Sequence, residues 1–160
     1  MRTMRTIDEA KRWLRDRLNE GAECPVCRQH AQLYRRKLNA GMARALIQIY
    51  RHAGLEWTRV QDIPDGPRGG DYAKLRFWGF LEPRGDKADD GNSSGWWRVT
   101  IDGQRFLLNS MTAPSHVGTY NNKTYPLTDP VAQISIQEAL GDKFNYDDLL
   151  RGIARSTHVR

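Results

Sequence analysis

Apolar residues recur at helical spacing most regularly between Met42 and Ala53, where Met42, Ala45, Leu46, Ile49 and Ala53 fall on one stripe and Gly54 ends it. An earlier stripe, Ile7, Ala10, Leu14 and Leu18, opens with Thr6-Ile7-Asp8-Glu9, the Thr-x-x-Glu pattern of a capping box. It stops near Gly21. Arg28 to Asn39 also reads as a helix, with Leu33 and Leu38 on the buried side. The consecutive Arg35, Arg36 and Lys37 are about 100° apart on such a helix and cannot all face a core. A short helix from Thr58 or Arg59 to Ile63 follows, and then a turn full of helix breakers from Pro64 to Gly70.

From Asp71 the pattern predicts a helix to Trp78, closed by Gly79, with Leu75 and Trp78 three apart on one face. Phe80 and Leu81 then enter a strand. Glu82 to Gly95 is a polar hairpin tip, and Trp96 to Val99 is a strand in which one Trp shares a face with Val99. Thr100 is placed to cap a helix carrying Phe106 and Leu107. Beyond Ser110 the register changes. Pro114 to Tyr120 and Lys123 to Leu127 read as two strands about the turn Asn121-Asn122, whose residues tolerate left-handed backbone. Ile134-Ser135-Ile136 suits either an edge strand or a helix start with Ser135 as cap and Glu138 three residues on, and Asn145 to Leu150 opens a final helix.

Helix, strand, polar tip, strand, helix is the order of a winged helix. Over about residues 40 to 108 the chain resembles winged-helix transcription regulators of the multiple-antibiotic-resistance and phenolic-acid-repressor kinds. In those regulators the recognition helix ends in Leu, Gly and an apolar pair, here Leu75, Gly79, Phe80 and Leu81, and the wing returns into a Thr-x-x-Gly helix start, here Thr100 and Gly103. The remainder resembles small bacterial and phage proteins. The resemblance implies a winged helix at 40–109, and with the patterning on either side the expectation is an α+β protein that is mainly helical, with basic helices and a Cys turn at 1–39 and a hairpin lobe at 110–160. It implies duplex DNA as partner and a homodimer as an option.

Charge adds to this picture. The first 60 residues carry 13 Lys and Arg against 6 Asp and Glu, and the remaining 100 are nearly balanced. Such a basic segment suits an anionic partner. In the reader helix Arg68, Tyr72, Lys74 and Arg76 are the expected groove contacts, with Arg84 and Lys87 on the wing and Arg35, Arg36 and Lys37 against phosphates. Asp86, Asp89 and Asp90 on the wing oppose phosphate contact, so the competing expectation is a protein-interaction adaptor holding its partner at the wing.

Cys24-Pro25-Val26-Cys27 has the spacing of half a zinc knuckle, with His30 as a further ligand and structural zinc as the cofactor it would hold. A thiol redox site and a simple Pro turn with two packed cysteines are the other readings of the same residues. No H-E-x-x-H, phosphate loop, dinucleotide fingerprint or paired nucleophile and base occurs in a supporting context, so no enzyme is expected. No apolar run approaches the roughly 20 residues of a membrane span. With no apolar leader at the N-terminus, the expected location is the cytoplasm.

Overall fold

A computed structural model of the chain describes residues 6–85 and 95–152. In order, the elements are α1 (Ile7–Arg15), β1 (Ala22–Glu23), β2 (His30–Ala31), β3 (Tyr34–Lys37) and α2 (Ala40–Ala53). Next come β4 (Thr58–Arg59), 3₁₀ helices at Val60–Asp62 and Asp71–Trp78, β5 (Leu81–Pro83), β6 (Trp96–Val99) and α3 (Ile101–Leu107). The last are β7 (Ala113–Pro114), β8 (His116–Tyr120), β9 (Lys123–Tyr125), β10 (Gln133–Ile134), α4 (Ile136–Leu140) and α5 (Tyr146–Arg151). The class is mixed α+β, with small antiparallel sheets. Among the described residues no helix is long and apolar enough to cross a membrane.

The three consecutive segments expected from the sequence are regrouped. One unit joins residues 1–37 to 116–131, and the other joins 38–115 to 132–160. Strand pairing is the reason. β3 lies antiparallel to β8 with Tyr34 opposite Thr119 and Lys37 opposite His116, and β8 pairs in turn with β9. The hairpin expected in a separate C-terminal lobe thus completes a sheet begun by the N-terminal segment.

The same pairing overturns the helix expected over Arg28–Asn39, which is instead β2 and β3. A helix there would satisfy its amides locally. The strand satisfies them with a partner some eighty residues away, which local periodicity does not reveal. In this first unit Leu18, Ala31 and Leu33 are buried, with Leu14, Tyr120, Tyr125 and Leu127 packed on them. Thr6 caps α1 by accepting from the Glu9 amide. Asn121 and Asn122 (φ 53° and 64°) make the β8–β9 turn.

The second unit is built on α2. Asn39 accepts from the Met42 amide to start it. Met42, Leu46, Ile47 and Ile49 are buried against Leu75, Phe80, Leu81, Val99, Phe106, Leu107, Ile136 and Leu140. Its three-stranded sheet has the order β4, β6, β5, all antiparallel. Trp97 and Val99 face the core and Trp96 the other side, as the alternation requires. Thr100 caps α3 by accepting from the Gly103 amide. Phe106 then stacks on Phe80 at 4.7 Å between centroids. Of the two readings of Ser135, the helix start holds: β10 ends at Ile134, and Ser135 caps α4 in a capping box with Glu138.

α3 crosses the end of β5 so closely that a Cβ at Gly103 would sit 2.3 Å from the Phe80 carbonyl oxygen and 3.0 Å from Val99 Cγ1. Gly103→Ala therefore forces backbone apart at the centre of the unit. It should lower stability by about 1–3 kcal/mol, the cost of overpacking a filled core. Urea unfolding followed by circular dichroism measures this, and an unchanged midpoint would show that the crossing yields freely.

Candidate nucleic-acid interface

In the second unit the expected reader is the 3₁₀ helix Asp71–Trp78, with no α-helical turns. Gly69 (φ 75°) turns the chain into it, and Gly79 (φ 77°) ends it with its amide donating to Arg76 and Leu75 carbonyls. Three residues per turn stack positions three apart, so Tyr72, Leu75 and Trp78 form one stripe. Leu75 is fully buried, and Trp78 donates its indole N–H to the Pro114 carbonyl at 2.7 Å.

Tyr72, expected as a groove contact, belongs to that stripe and is half-buried against the core. Its ring meets Trp97 edge-on, with centroids 5.8 Å apart. Burial pushes its phenol pKa up. The cations lie off the stripe. Lys74 pairs with Asp71 at 3.1 Å, and the Arg76 guanidinium lies 4.9 Å from the Phe77 ring centre. Arg68 is exposed in the turn before the helix. Arg68, Lys74 and Arg76 are therefore the cations at this helix and its entrance, and Lys74 faces the Asp71 carboxylate.

Arg84 leaves β5 where its amide bonds the Trp96 carbonyl, and its guanidinium lies 5.6 Å from the Trp96 ring. Lys87 and the wing carboxylates Asp86, Asp89 and Asp90 lie outside the described residues. On the same sheet Arg98 pairs with Glu82 and sits 4.4 Å over Trp57. Its charge is thereby offset within the fold.

The first unit carries the basic excess, with 11 Lys and Arg against 6 Asp and Glu in residues 1–37 and 116–131. β3 alternates across its sheet, so Tyr34 and Arg36 share one face while Arg35 and Lys37 share the other. Tyr34 is 66% exposed, with the Arg36 guanidinium 5.5 Å from its ring centre. Arg36 is held there by Nε donating to Thr119 Oγ1 at 3.2 Å. Sequence reasoning missed Tyr34 as a surface aromatic because it read the segment as a helix. A cavity beside it is lined by His30, Gln32, Leu33, Tyr34 and Tyr120. Across the sheet Arg35 lies 3.9 Å from Asp129, and Lys37 is exposed.

Cys24 and Cys27 sit in the turn between β1 and β2, both as free thiols. His30 is paired opposite Glu23 on β2, with its Nε2 3.3 Å from Gln32 Oε1. Among the described residues no three His, Cys, Asp or Glu side chains gather into a metal site, so His30 does not join the two cysteines. No protein-family model, curated protein or solved structure matches the chain.

His116, on β8 opposite Lys37, reports the field on the Arg35–Lys37 face. Its pKa is lowered from 6.5 by desolvation first, and then by the positive charges of Arg35 and Lys37. The folded chain keeps it neutral to lower pH than the unfolded chain. Its contribution to stability is therefore full above about pH 6.5 and is lost as pH falls towards the folded value. Proton NMR should find His116 titrating below 6.5. Changing Arg35 and Lys37 to Gln should move that titration upward, and no movement would remove the two cations as a cause.

Proposed function

We propose that this chain is a non-enzymatic, cytoplasmic DNA-binding protein of bacterial or phage type, acting in regulation through a winged-helix unit within residues 38–115. One observation carries the reading. A core helix, a strand, two short helices, a strand, a polar hairpin tip and a strand follow one another, and the first strand lies beside the last in the order β4, β6, β5. That topology supports the winged-helix reading, in which the helix before β5 is the one offered to a major groove. Here it is the 3₁₀ helix bearing Lys74 and Arg76, with Arg68 at its entrance.

Arg is suited to donate twice to a guanine edge, and Lys to a guanine or a phosphate. Lys74 can exchange Asp71 for an anionic oxygen, since a partly exposed i,i+3 pair contributes little on its own. The basic first unit supplies sequence-independent attraction through Arg35, Arg36 and Lys37. Fold order alone does not establish function, so the reading is tested on these side chains.

A second reading, a protein-interaction adaptor, is favoured by the reader's short cation set. Tyr72 is packed inward, and the whole second unit is nearly neutral, with 14 Lys and Arg against 13 Asp and Glu.

Duplex affinity measured at about 50 and 200 mM salt separates the two readings. DNA binding through several phosphates should weaken steeply with salt. Each groove contact should be worth about 1–3 kcal/mol, so Lys74→Ala with Arg76→Ala should lower affinity at least tenfold. Replacing Arg35, Arg36 and Lys37 by Ala should flatten the salt slope. Weak binding indifferent to all five side chains would exclude the DNA reading and leave the adaptor.

A further inference from the structure

Residues directly opposite one another in an antiparallel sheet share a face. Tyr34 lies opposite Thr119 and Thr119 opposite Thr124, while Arg36 lies opposite Val117, so these five side chains make one face of the β3–β8–β9 sheet. Tyr120 and Tyr125, which pack on Leu18, Ala31 and Leu33, alternate to the other face. None of the five is acidic. Thr119 is buried, Arg36 and Val117 are half-buried, and Tyr34 keeps 66% of its surface in water although the Arg36 guanidinium lies 5.5 Å from its ring centre. A face of the ring is thus available to a ligand. Arg36 Nε donates to Thr119 Oγ1 at 3.2 Å. That bond fixes the guanidinium and leaves its two terminal nitrogens, which together match two oxygens of one phosphate. At the start of β3 the platform borders a cavity of about 180 Å³ lined by His30, Gln32, Leu33, Tyr34 and Tyr120.

We infer that this face is a site for single-stranded nucleic acid, with an unpaired base stacked on Tyr34, a phosphate of the same strand held by Arg36, and the bordering cavity offering polar groups to the neighbouring nucleotide. Sites for unpaired strands combine exposed aromatic rings, on which bases stack, with cations that follow the backbone. Tyr34 and Arg36 supply one of each, side by side. A duplex keeps the faces of its bases inside its own stack, so Tyr34 meets no base on it unless the strand opens. The excess of 11 Lys and Arg over 6 Asp and Glu in this unit favours a polyanion over a single nucleotide. The site is separate from the helix bearing Lys74 and Arg76, and does not depend on that helix reading a duplex.

The test titrates the full chain into a fluorescein-labelled oligothymidine of about 12 nucleotides, within the length a small domain covers, and follows anisotropy. Tyr34→Ala should weaken binding about 5- to 100-fold, the loss of one base–aromatic stack. Tyr34→Phe keeps the ring and should stay within about twofold of the wild type, since stacking does not use the hydroxyl. Arg36→Gln should lower the salt slope by about 0.7, one phosphate contact on a single strand. A duplex of the same length should be indifferent to Tyr34→Ala, and the single strand indifferent to Lys74→Ala with Arg76→Ala, so failure here and failure of the duplex reading are told apart. In the wild type, where no variant has to fold, proton NMR should show the Tyr34 ring resonances moving upfield as the oligonucleotide is added. Single-strand affinity unchanged in Tyr34→Ala, or lost equally in Tyr34→Phe, would overturn the stacking site. So would unmoved Tyr34 resonances, thymidine monophosphate binding as tightly as the oligonucleotide, or a poly-glutamate peptide displacing it as well as unlabelled oligothymidine does.

Discussion

Burial of the α2 stripe is the interaction on which the second unit depends. Met42, Leu46, Ile47 and Ile49 lose nearly all their contact with water, and each such side chain contributes about 1.5–3 kcal/mol. The 3₁₀ helix Asp71–Trp78, β6, α3, α4 and α5 all pack against this one helix. None of them is long enough to be stable alone, since isolated helices below about 12–15 residues are marginal in water. Their positions therefore follow from the stripe. The 3₁₀ helix takes its orientation from Leu75 and Trp78, and so do the directions in which Lys74 and Arg76 leave the surface.

This explains which parts of the fold could be read from the sequence. Helix caps are local chemistry, so Thr6, Thr100, Ser135 and Asn145 are visible as starts, and each accepts a backbone amide three residues on. The α2 stripe is visible because its periodicity is sustained for three turns. The β8–β9 turn is visible because Asn121-Asn122 is suited to left-handed backbone. What the sequence concealed was settled at long range. Tyr34-Arg35-Arg36-Lys37 has no strand signal of its own, with a single apolar ring among three cations. It is a strand because His116–Thr119 offers a matching edge. The regrouping into two units follows from that one pairing.

The candidate site was legible as a set of cations and not as a surface. Arg68, Lys74 and Arg76 can be picked from the sequence by charge, but the helical period decides what stands beside them. With 3.6 residues per turn Tyr72 lies toward the edge of the Leu75 face. With three per turn it lies on it, which is where the structure puts it against Trp97. A phase difference of about 60° thus turns this aromatic ring onto the face that packs against the core.

The two kinds of cation also differ in what holds them. Arg98 is fixed between Glu82 and Trp57, and Arg36 between Thr119 and Tyr34. Arg98 has a carboxylate partner, which offsets its charge within the fold. Arg36 is held by a neutral hydroxyl and the face of a ring, which orient the guanidinium with no carboxylate paired to it among the described residues. A preoriented, uncompensated guanidinium beside an exposed tyrosine is an arrangement suited to meeting an anionic, π-bearing ligand. Under the proposed DNA-binding reading, β3 is therefore the stronger anchor in charge terms, and the helix bearing Lys74 and Arg76 contributes selectivity more than attraction.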